Sequence, residues 1–396
     1  MKVLVIGGHY NPVRDLVITD GLSKFSLTVA KAYHLSGHEV HLLGPKDSQL
    51  DLTPIPLHKW DIDSRRQFAL SGQQFPLRFS QAATSKMTEL KEIGFDLIIN
   101  NLENLTAIKN IPLIFKHSKV VNCLHSSGYL GIGSKNLADT LAKTYLAGSG
   151  QVYNLIVCEH NKHVYNRMAE NAIQVVNTSA IFFDEDLPDL SSVREEELTY
   201  CTFLARLQDE TQYSTIRTLL GTNYPFRMIG DYSPHLDTPQ EIRDEFESML
   251  SAPQVTRWKG LPHREILQIL SRSKFSVFLT PKEVLPISPI EHNLMGCPVI
   301  SSQDLEYFPD CLTFVGEPYS IPIKRARQKQ LDLQMKELLP KMLEEYDLKN
   351  RIALSKKTFD RFHYTKWLNR MDSILEGMHV PPEEPDMFDS MFSANT

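Results

Sequence analysis

WKGLPHREILQILSRSKFSVFLTPKEVLPISPIEHNLMGCPVISS, residues Trp258–Ser302, decides the fold. From Lys274 to Thr280 the run is short and apolar, with Phe275, Val277, Phe278 and Leu279, and Pro281 stops it. That leaves no room for a helix, so the run reads as a strand. A polar turn follows. Ser288-Pro289-Ile290-Glu291 then has the S-x-x-E form of a capping box with proline at the first helical position, which predicts a helix from Pro289. Gly296 favours closing that helix and Pro298 cannot continue it, so it runs about two turns before Val299-Ile300 starts the next strand. Glu283 is thereby placed on the loop and Glu291 in the helix's first turn, with seven residues between them, at the C-terminal edge of a sheet. That edge is where open α/β sheets bind ligands, and a helix N-terminus offers free N–H groups to a phosphate. The geometry suits a nucleotide.

Outward from this stretch, 396 residues exceed one ordinary core, so two domains are expected. Apolar residues make up 42% and charged residues 23%, the range of a globular protein rather than a disordered one. No run approaches the roughly 18 apolar residues of a membrane span. The opening MKVLVIGG has one lysine before a strand-like run and no signal-peptide cleavage pattern, so a cytoplasmic location is expected. Cys123, Cys158, Cys201, Cys297 and Cys311 are odd in number and lack a C-x-x-C pair, which gives neither a disulfide framework nor a zinc site. A net charge of -6 argues against a surface coated for nucleic acid while leaving room for one basic groove.

Along the chain, Lys2 to Ile6 reads as a strand, Ser23 to Leu35 as a helix closed by Gly37, and Val40 to Leu43 as a second strand. Gly7-Gly8 is not G-x-G-x-x-G, so the dinucleotide fingerprint is absent. Gly21, just before the helix, is either a turn residue or a place where backbone approaches a ligand, with Lys24 nearby for charge. Further strands are expected at Asp96–Asn100, Val120–Leu124, Asn154–Cys158 and Ile173–Val176. Around Asn177–Glu197 the pattern stops in an acidic, proline-bearing stretch that reads as a linker. Alternation then restarts, with strands at Tyr200–Leu204, Phe226–Ile229, Phe275–Leu279, Val299-Ile300 and Leu312–Val315, and a last helix from about Lys356 to Met378. Strands alternating with helices imply parallel sheets covered on both faces. The domains expected are 1–190 and 191–355, with helix 356–378 packing back on the first and 379–396 an acidic flexible tail.

Two doubly wound α/β domains facing each other across a cleft look like a GT-B glycosyltransferase, and the motifs resemble its large retaining branch that uses nucleotide sugars. Glu283 and Glu291 match the E-x7-E pair of that branch, followed by Gly296-Cys297-Pro298-Val299. Leu204-Ala205-Arg206-Leu207 resembles the G-R-L strand end, Ile229-Gly230-Asp231 the next glycine–aspartate corner, and Trp258-Lys259-Gly260 the F-x-G after it. Gly37-His38-Glu39-Val40 matches the end of the first βαβ unit, and His125 sits where the branch has its active-site histidine. A shorter stretch, Leu22-Ser23-Lys24-Phe25-Ser26-Leu27 with Gly37-His38-Glu39-Val40, is similar to the start of phage alpha-glucosyltransferases that modify hydroxymethylcytosine in DNA.

What the resemblance implies is a nucleotide-sugar donor, a UDP-sugar first among them. Glu283 would contact sugar hydroxyls, Glu291 the ribose, Arg206 the diphosphate, and His125 a sugar hydroxyl. Two departures bear on the donor. Thr211 stands where the branch has lysine, with Lys282 as a substitute cation; Val284-Leu285-Pro286 replaces the usual glycines, and Pro286 cannot donate an N–H. Structural readings stand beside the functional ones. Glu291 fits a capping residue, Arg206 a surface ion pair, His125 a satisfied strand-end histidine, and the basic run Lys324-Arg325-Arg327-Lys329, like Arg65-Arg66, a solvated face or a phosphate-backbone contact. Asp61-Ile62-Asp63 and Asp184-Glu185-Asp186 imitate a metal-binding D-x-D that arises easily by chance, so no metal or other cofactor is expected. Three functions stay open: a retaining transferase acting on a modified base in double-stranded DNA, the same chemistry on a saccharide, lipid or polysaccharide, and an inactive nucleotide-sugar-binding protein.

Overall fold

A computed structural model of the chain describes residues 1–7, 11–16, 21–64, 75–102, 105–125, 152–156, 173–175, 180–198, 200–204, 216, 219–222, 224–230, 240–278, 287–301 and 348–377. A first compact unit runs from Met1 to Phe182 and resumes at Phe362; a second runs from Phe183 to Arg361.

Among the described residues the first unit has seven parallel strands, β1 (Lys2–Ile6), β2 (Glu39–Gly44), β3 (Leu57–Lys59), β4 (Leu97–Asn100), β5 (Lys119–Leu124), β6 (Val152–Ile156) and β7 (Ile173–Val175). Their order is β3-β2-β1-β4-β5-β6-β7. Val3, Leu4, Val5 and Ile6 are all 0% exposed, the signature of a central parallel strand covered on both faces, which is why this run carries no polar alternation. Helices α1 (Gly21–Leu35), α2 (Phe75–Leu90) and α3 (Leu105–Ile114) supply the cover. Leu4, Ile6 and Ile98 pack with Trp60, Phe79, Met87, Phe95, Ile111 and Phe115 in one cluster, each such side chain contributing about 1.5–3 kcal/mol by leaving water.

Among the described residues the second unit has five parallel strands, β8 (Tyr200–Leu204), β9 (Phe226–Ile229), β10 (Val255–Trp258), β11 (Ser273–Phe278) and β12 (Val299–Ser301), in the order β10-β9-β8-β11-β12. Counted from its own first strand, that is the winding 3-2-1-4-5 with which the first sheet also begins. The second unit's described helices include α4 (Gln240–Leu250), α5 (His263–Ser271), α6 (Ile287–Leu294) and α7 (Leu348–Phe362). Arg351 on α7, 1% exposed, donates to the carbonyls of Ser271, Ser273 and Lys274 at 3.4, 2.7 and 3.0 Å. It thereby satisfies orphan acceptors where α5 ends and β11 begins. Gly296 closes α6 at φ 64°, and a Cβ there would lie 2.8 Å from the Arg351 carbonyl, so only glycine fits on both counts.

Four expectations change. The single terminal helix is two, α7 and α8 (Tyr364–Leu375), broken at His363. There Phe182 forms a short parallel bridge, its N–H donating to Phe362 O and its carbonyl accepting from Tyr364 N–H. α8 is held in the first unit by Trp367 edge-on to Phe25 and Tyr33, and by Lys119 Nζ and Tyr153 OH, which both donate to Leu375 O. The stretch read as a linker is packed at residues 180–198: Phe182, Phe183, Leu190, Val193 and Leu198 are buried around three 3-10 turns. Acids bond the backbone at the first two of those turns, Asp186 Oδ2 accepting from Phe183 N–H and Asp189 Oδ1 from Ser191 N–H. β3 and β10, at the sheet edges, have no strand-like pattern in the sequence. Finally, α6 starts at Ile287 rather than Pro289, which moves Glu291 beyond the first turn and removes its capping-box position. The strand expected at Leu312–Val315, the basic run 324–329, Arg65-Arg66 and the acidic tail lie outside the described residues.

Candidate functional site

In each sheet the first strand marks the point where winding reverses, β1 beside β4 in one and β8 beside β11 in the other. Ligands of open α/β sheets bind beyond the C-terminal ends of such strands.

At the first sheet's reversal, β1 ends at Ile6 and α1 passes so close that a Cβ on Gly7 would lie 2.0 Å from Ser26 Oγ. Gly21 is exposed and opens α1. Lys24 is 8% exposed, and Ser23, Phe25, Ser26 and Leu27 are buried with it, so most of the Leu22–Leu27 stretch is packing surface. Ser23 Oγ donates to Asn11 O at 3.2 Å. β4, β5 and β6 are tied by asparagines that register places side by side, Asn100 against Asn122 and Asn122 against Asn154. Asn100 Nδ2 donates to Asn122 Oδ1 at 2.9 Å, and Asn122 Nδ2 to Asn154 Oδ1 at 3.0 Å, all three at most 1% exposed. Asn101 follows, its N–H donating to Ile6 O at 2.8 Å and its Oδ1 lying 3.1 Å from His125 Nε2. His125, just past β5, also meets the Phe25 ring edge-on at 4.7 Å. Burial pushes its pKa down to about 4, so the ring is neutral at pH 7.

At the second sheet's reversal, Arg206 follows the end of β8 by two residues, and Lys282 and Glu283 follow the end of β11 by four and five; all three, with Thr211, lie outside the described residues. Glu291 is described. It is 5% exposed on α6, and its Oε1 lies 2.6 Å from Nε2 of His263, the residue that opens α5. A buried carboxylate needs such a donor. The next two residues are buried and polar as well. His292 Nδ1 lies 2.5 Å from Ser276 Oγ, and burial pushes its pKa down to about 3. His292 Nε2 and both carboxamide atoms of Asn293 have no hydrogen-bond partner. His263, Asn101 and the asparagine ladder were not marked by any motif. His263 had one usable signal, a polar residue at the start of a helix in the segment just before the E-x7-E pair.

Asp61 is exposed and lies 3.6 Å from Lys46, and Asp186 Oδ2 accepts from Phe183 N–H at a 3-10 turn. Among the described residues no cluster of three or more His, Cys, Asp or Glu could hold a metal, and no helix is long and apolar enough to cross a membrane. Cys123, Cys201 and Cys297 are buried free thiols.

No protein-family model matches the chain, and no curated protein matches it in sequence. Solved structures do match. Sucrose-phosphate synthase from Thermosynechococcus elongatus superposes with a TM-score of 0.65 at 13% identity, covering 95% of this chain and 98% of that one. A glycosyltransferase from Rickettsia africae ESF-5 gives 0.62 at 12%, with the same coverage. Anabaena HepE in complex with UDP-glucose gives 0.60 at 12%, covering 96% of this chain and all of that one. Sheet order, parallel register and likeness over nearly the whole length together establish that this chain has the α/β fold of GT-B glycosyltransferases.

Proposed function

We propose that this protein is a retaining glycosyltransferase that moves a sugar from a nucleotide diphosphate donor, a UDP-sugar, to an acceptor hydroxyl. The observation that carries the reading is Glu291, a carboxylate buried beside the second sheet's winding reversal and held by His263, at the E-x7-E spacing from Glu283. HepE, which shares the fold, is seen with UDP-glucose. In this reading Glu291 accepts from ribose hydroxyls and Glu283 from sugar hydroxyls. Arg206, Lys282 and the helix N-terminus beyond β11 stabilise the charge that grows on the departing diphosphate, with no metal required. Gly21 lets backbone approach the ligand, and His125 hydrogen-bonds a sugar hydroxyl.

The bond from the anomeric carbon to the diphosphate oxygen breaks through an oxocarbenium-like state. The acceptor oxygen bonds to the same face, and its proton passes to the departing phosphate oxygen. The products are the glycoside and the nucleoside diphosphate.

For the acceptor we propose a hydroxymethylated base in duplex DNA, on the likeness of Leu22–Leu27 and Gly37–Val40 to phage enzymes; the setting would then be the host cytoplasm. The burial of most of Leu22–Leu27 makes that a likeness of scaffold. A saccharide or lipid acceptor is the second reading, favoured by the match to WaaG, a glycosyltransferase involved in lipopolysaccharide biosynthesis, at TM-score 0.58 and 12% identity. Labelled UDP-sugars incubated with the pure protein test the reaction: slow donor hydrolysis is expected, and an intact donor would leave only a binding protein, as Thr211 would suit. Glu283→Ala should lower transfer at least 1,000-fold with the fold intact, about 4 kcal/mol of lost transition-state binding. Near-normal turnover would remove Glu283 from the site. DNA affinity should fall steeply between 50 and 200 mM salt, and absence of binding to modified duplex at low salt would end the DNA reading.

A further inference from the structure

We infer that Glu39, His41 and His58 form an acid-sensitive latch that holds edge strand β3 on β2, a chain of hydrogen bonds that admits one added proton and is broken by a second. The inference is independent of the transferase reading.

His41 lies on β2 and His58 on β3, a strand of three residues whose register offers three pairs to hold the edge. His41 Nδ1 is 2.8 Å from His58 Nε2, and His41 Nε2 is 3.2 Å from Glu39 Oε1. Both nitrogens of His41 are thus engaged, which fixes how its ring faces. The two rings are 5° from parallel with centroids 5.1 Å apart. A 2.8 Å gap is shorter than a face-to-face stack allows, so the rings meet edge to edge along the hydrogen bond. Phe95 meets His41 edge-on at 5.2 Å. A carboxylate only accepts, so His41 carries its proton on Nε2 and its lone pair on Nδ1. In the neutral pair His58 therefore donates from Nε2.

One more proton leaves every bond in place. Added at His58 Nδ1, its charge can move inward: the proton between the rings passes from His58 Nε2 to His41 Nδ1, and the cation then faces Glu39. A second added proton sets N–H against N–H across the gap, with two cations side by side and no lone pair between them. The surrounding groups do not relieve this. Lys2 of β1 lies 3.7 Å from Glu39 and competes for it, while Asp96 is occupied by the Lys2 backbone N–H at 2.7 Å. Lys86 of α2 adds positive charge beside His58, its own partner being Glu89 at 2.6 Å. Burial, with His41 and Lys86 next to it, holds the His58 pKa below the ordinary histidine range. In the unfolded chain both rings take a proton near pH ~6.5. As pH falls below that value the folded pair binds one proton fewer, so the latch weakens about 10-fold per pH unit.

Nitrogen-15 NMR of histidine-labelled full-length protein, with signals assigned by their loss in His41→Gln and His58→Gln, follows the pair from pH 8 to pH 4.5. At pH 8 both rings should be protonated on Nε2. On acidification both should shift with one common midpoint, the mark of a single shared proton. Hydrogen-exchange protection factors of the Leu57–Lys59 amides should fall about 10-fold between pH 6 and pH 5. A glutamine at position 58 can donate to His41 or accept from it and takes no charge, so His58→Gln should keep that protection within about 3-fold. Two rings that each become fully cationic above pH 5 while β3 stays protected, or a His58 Nε2 bare at pH 8, would overturn the latch. So would an equal loss of protection in His58→Gln. If His58→Gln does not fold, the wild-type titration alone decides.

Discussion

The two sheet edges solve the same problem with different materials. Each places a histidine against an oxygen from a neighbouring element, His125 against the Asn101 amide and His263 against the Glu291 carboxylate. At the first edge the polar side chains come from adjacent strands, and the asparagine ladder joins Asn100, Asn122 and Asn154 across the sheet, while Asn101 Nδ2 is left unpaired. At the second they come in sequence from one helix, Glu291, His292 and Asn293, and three of their buried polar atoms stay unpaired. Buried pairs rigidify, whereas each unpaired buried polar atom costs about 1–3 kcal/mol. The first edge is therefore a platform that adds stability. The second gives stability up, which is where a binding function is expected to leave its mark.

Acid should expose both edges at once. His125 and His292 are held neutral by burial, at about 4 and about 3, below the roughly 6.5 of an unfolded chain. Above that value neither state binds the proton and stability is unaffected. As pH falls below it, only the unfolded chain protonates, so stability drops, by about 2 kcal/mol per histidine at pH 5. Urea denaturation at pH 7 and pH 5 measures the sum. His292→Leu should flatten the second unit's share, followed by Trp258 fluorescence, and leave the first unit's pH dependence unchanged; equal slopes in both proteins would mean His292 titrates normally. Next in size, Asn122→Leu breaks both rungs of the ladder in a buried layer, removing Asn100's side-chain acceptor and the donor to Asn154. A loss of about 3 kcal/mol from the first unit is expected, read as a lowered urea midpoint.

How much of this was legible depends on whether a feature is local in sequence. β1, β8 and β9 have the bounds expected because Lys2–Ile6, Tyr200–Leu204 and Phe226–Ile229 are apolar runs whose ends are set by neighbouring residues. β3 and β10 are half-buried edge strands of three and four residues, two of them polar or charged in each, too little pattern to read. The break at His363 depends on Phe182, far away in the chain, and a helical periodicity running through both α7 and α8 hides it. The site divides in the same way. E-x7-E is local and was visible. His263 lies 28 residues from Glu291, and the ladder needs the register of three strands, which a single sequence does not specify. Asn100, Asn122 and Asn154 each sit in or at the end of an expected strand, yet nothing marks them as neighbours.

The His263–Glu291 contact ranks next. Removing a donor that orients a buried carboxylate should weaken UDP binding about 10-fold in His263→Ala, and calorimetry gives the constant. If the pair acts as a unit, His263→Ala and Glu291→Ala are not additive, with a coupling of about 0.5–3 kcal/mol. Additive losses would make the contact incidental.

The smallest effect is the sharpest test of the contrast, because it uses the substitution already made at Asn122. Asn293 is as deeply buried as Asn122, both at 0% exposure, but its carboxamide bonds to nothing. Replacing Asn122 by leucine removes two hydrogen bonds from a buried layer. Replacing Asn293 by leucine removes no bond, and it exchanges an unsolvated amide for an apolar group of similar size. Asn293→Leu should therefore stabilise the second unit, by up to about 1 kcal/mol, raising its thermal midpoint by a few degrees. The opposite sign for the same substitution on the two edges follows only if the second edge carries unpaid polar burial. Destabilisation at both positions would mean that Asn293 is held by packing alone, and the contrast between the edges would reduce to a difference in shape.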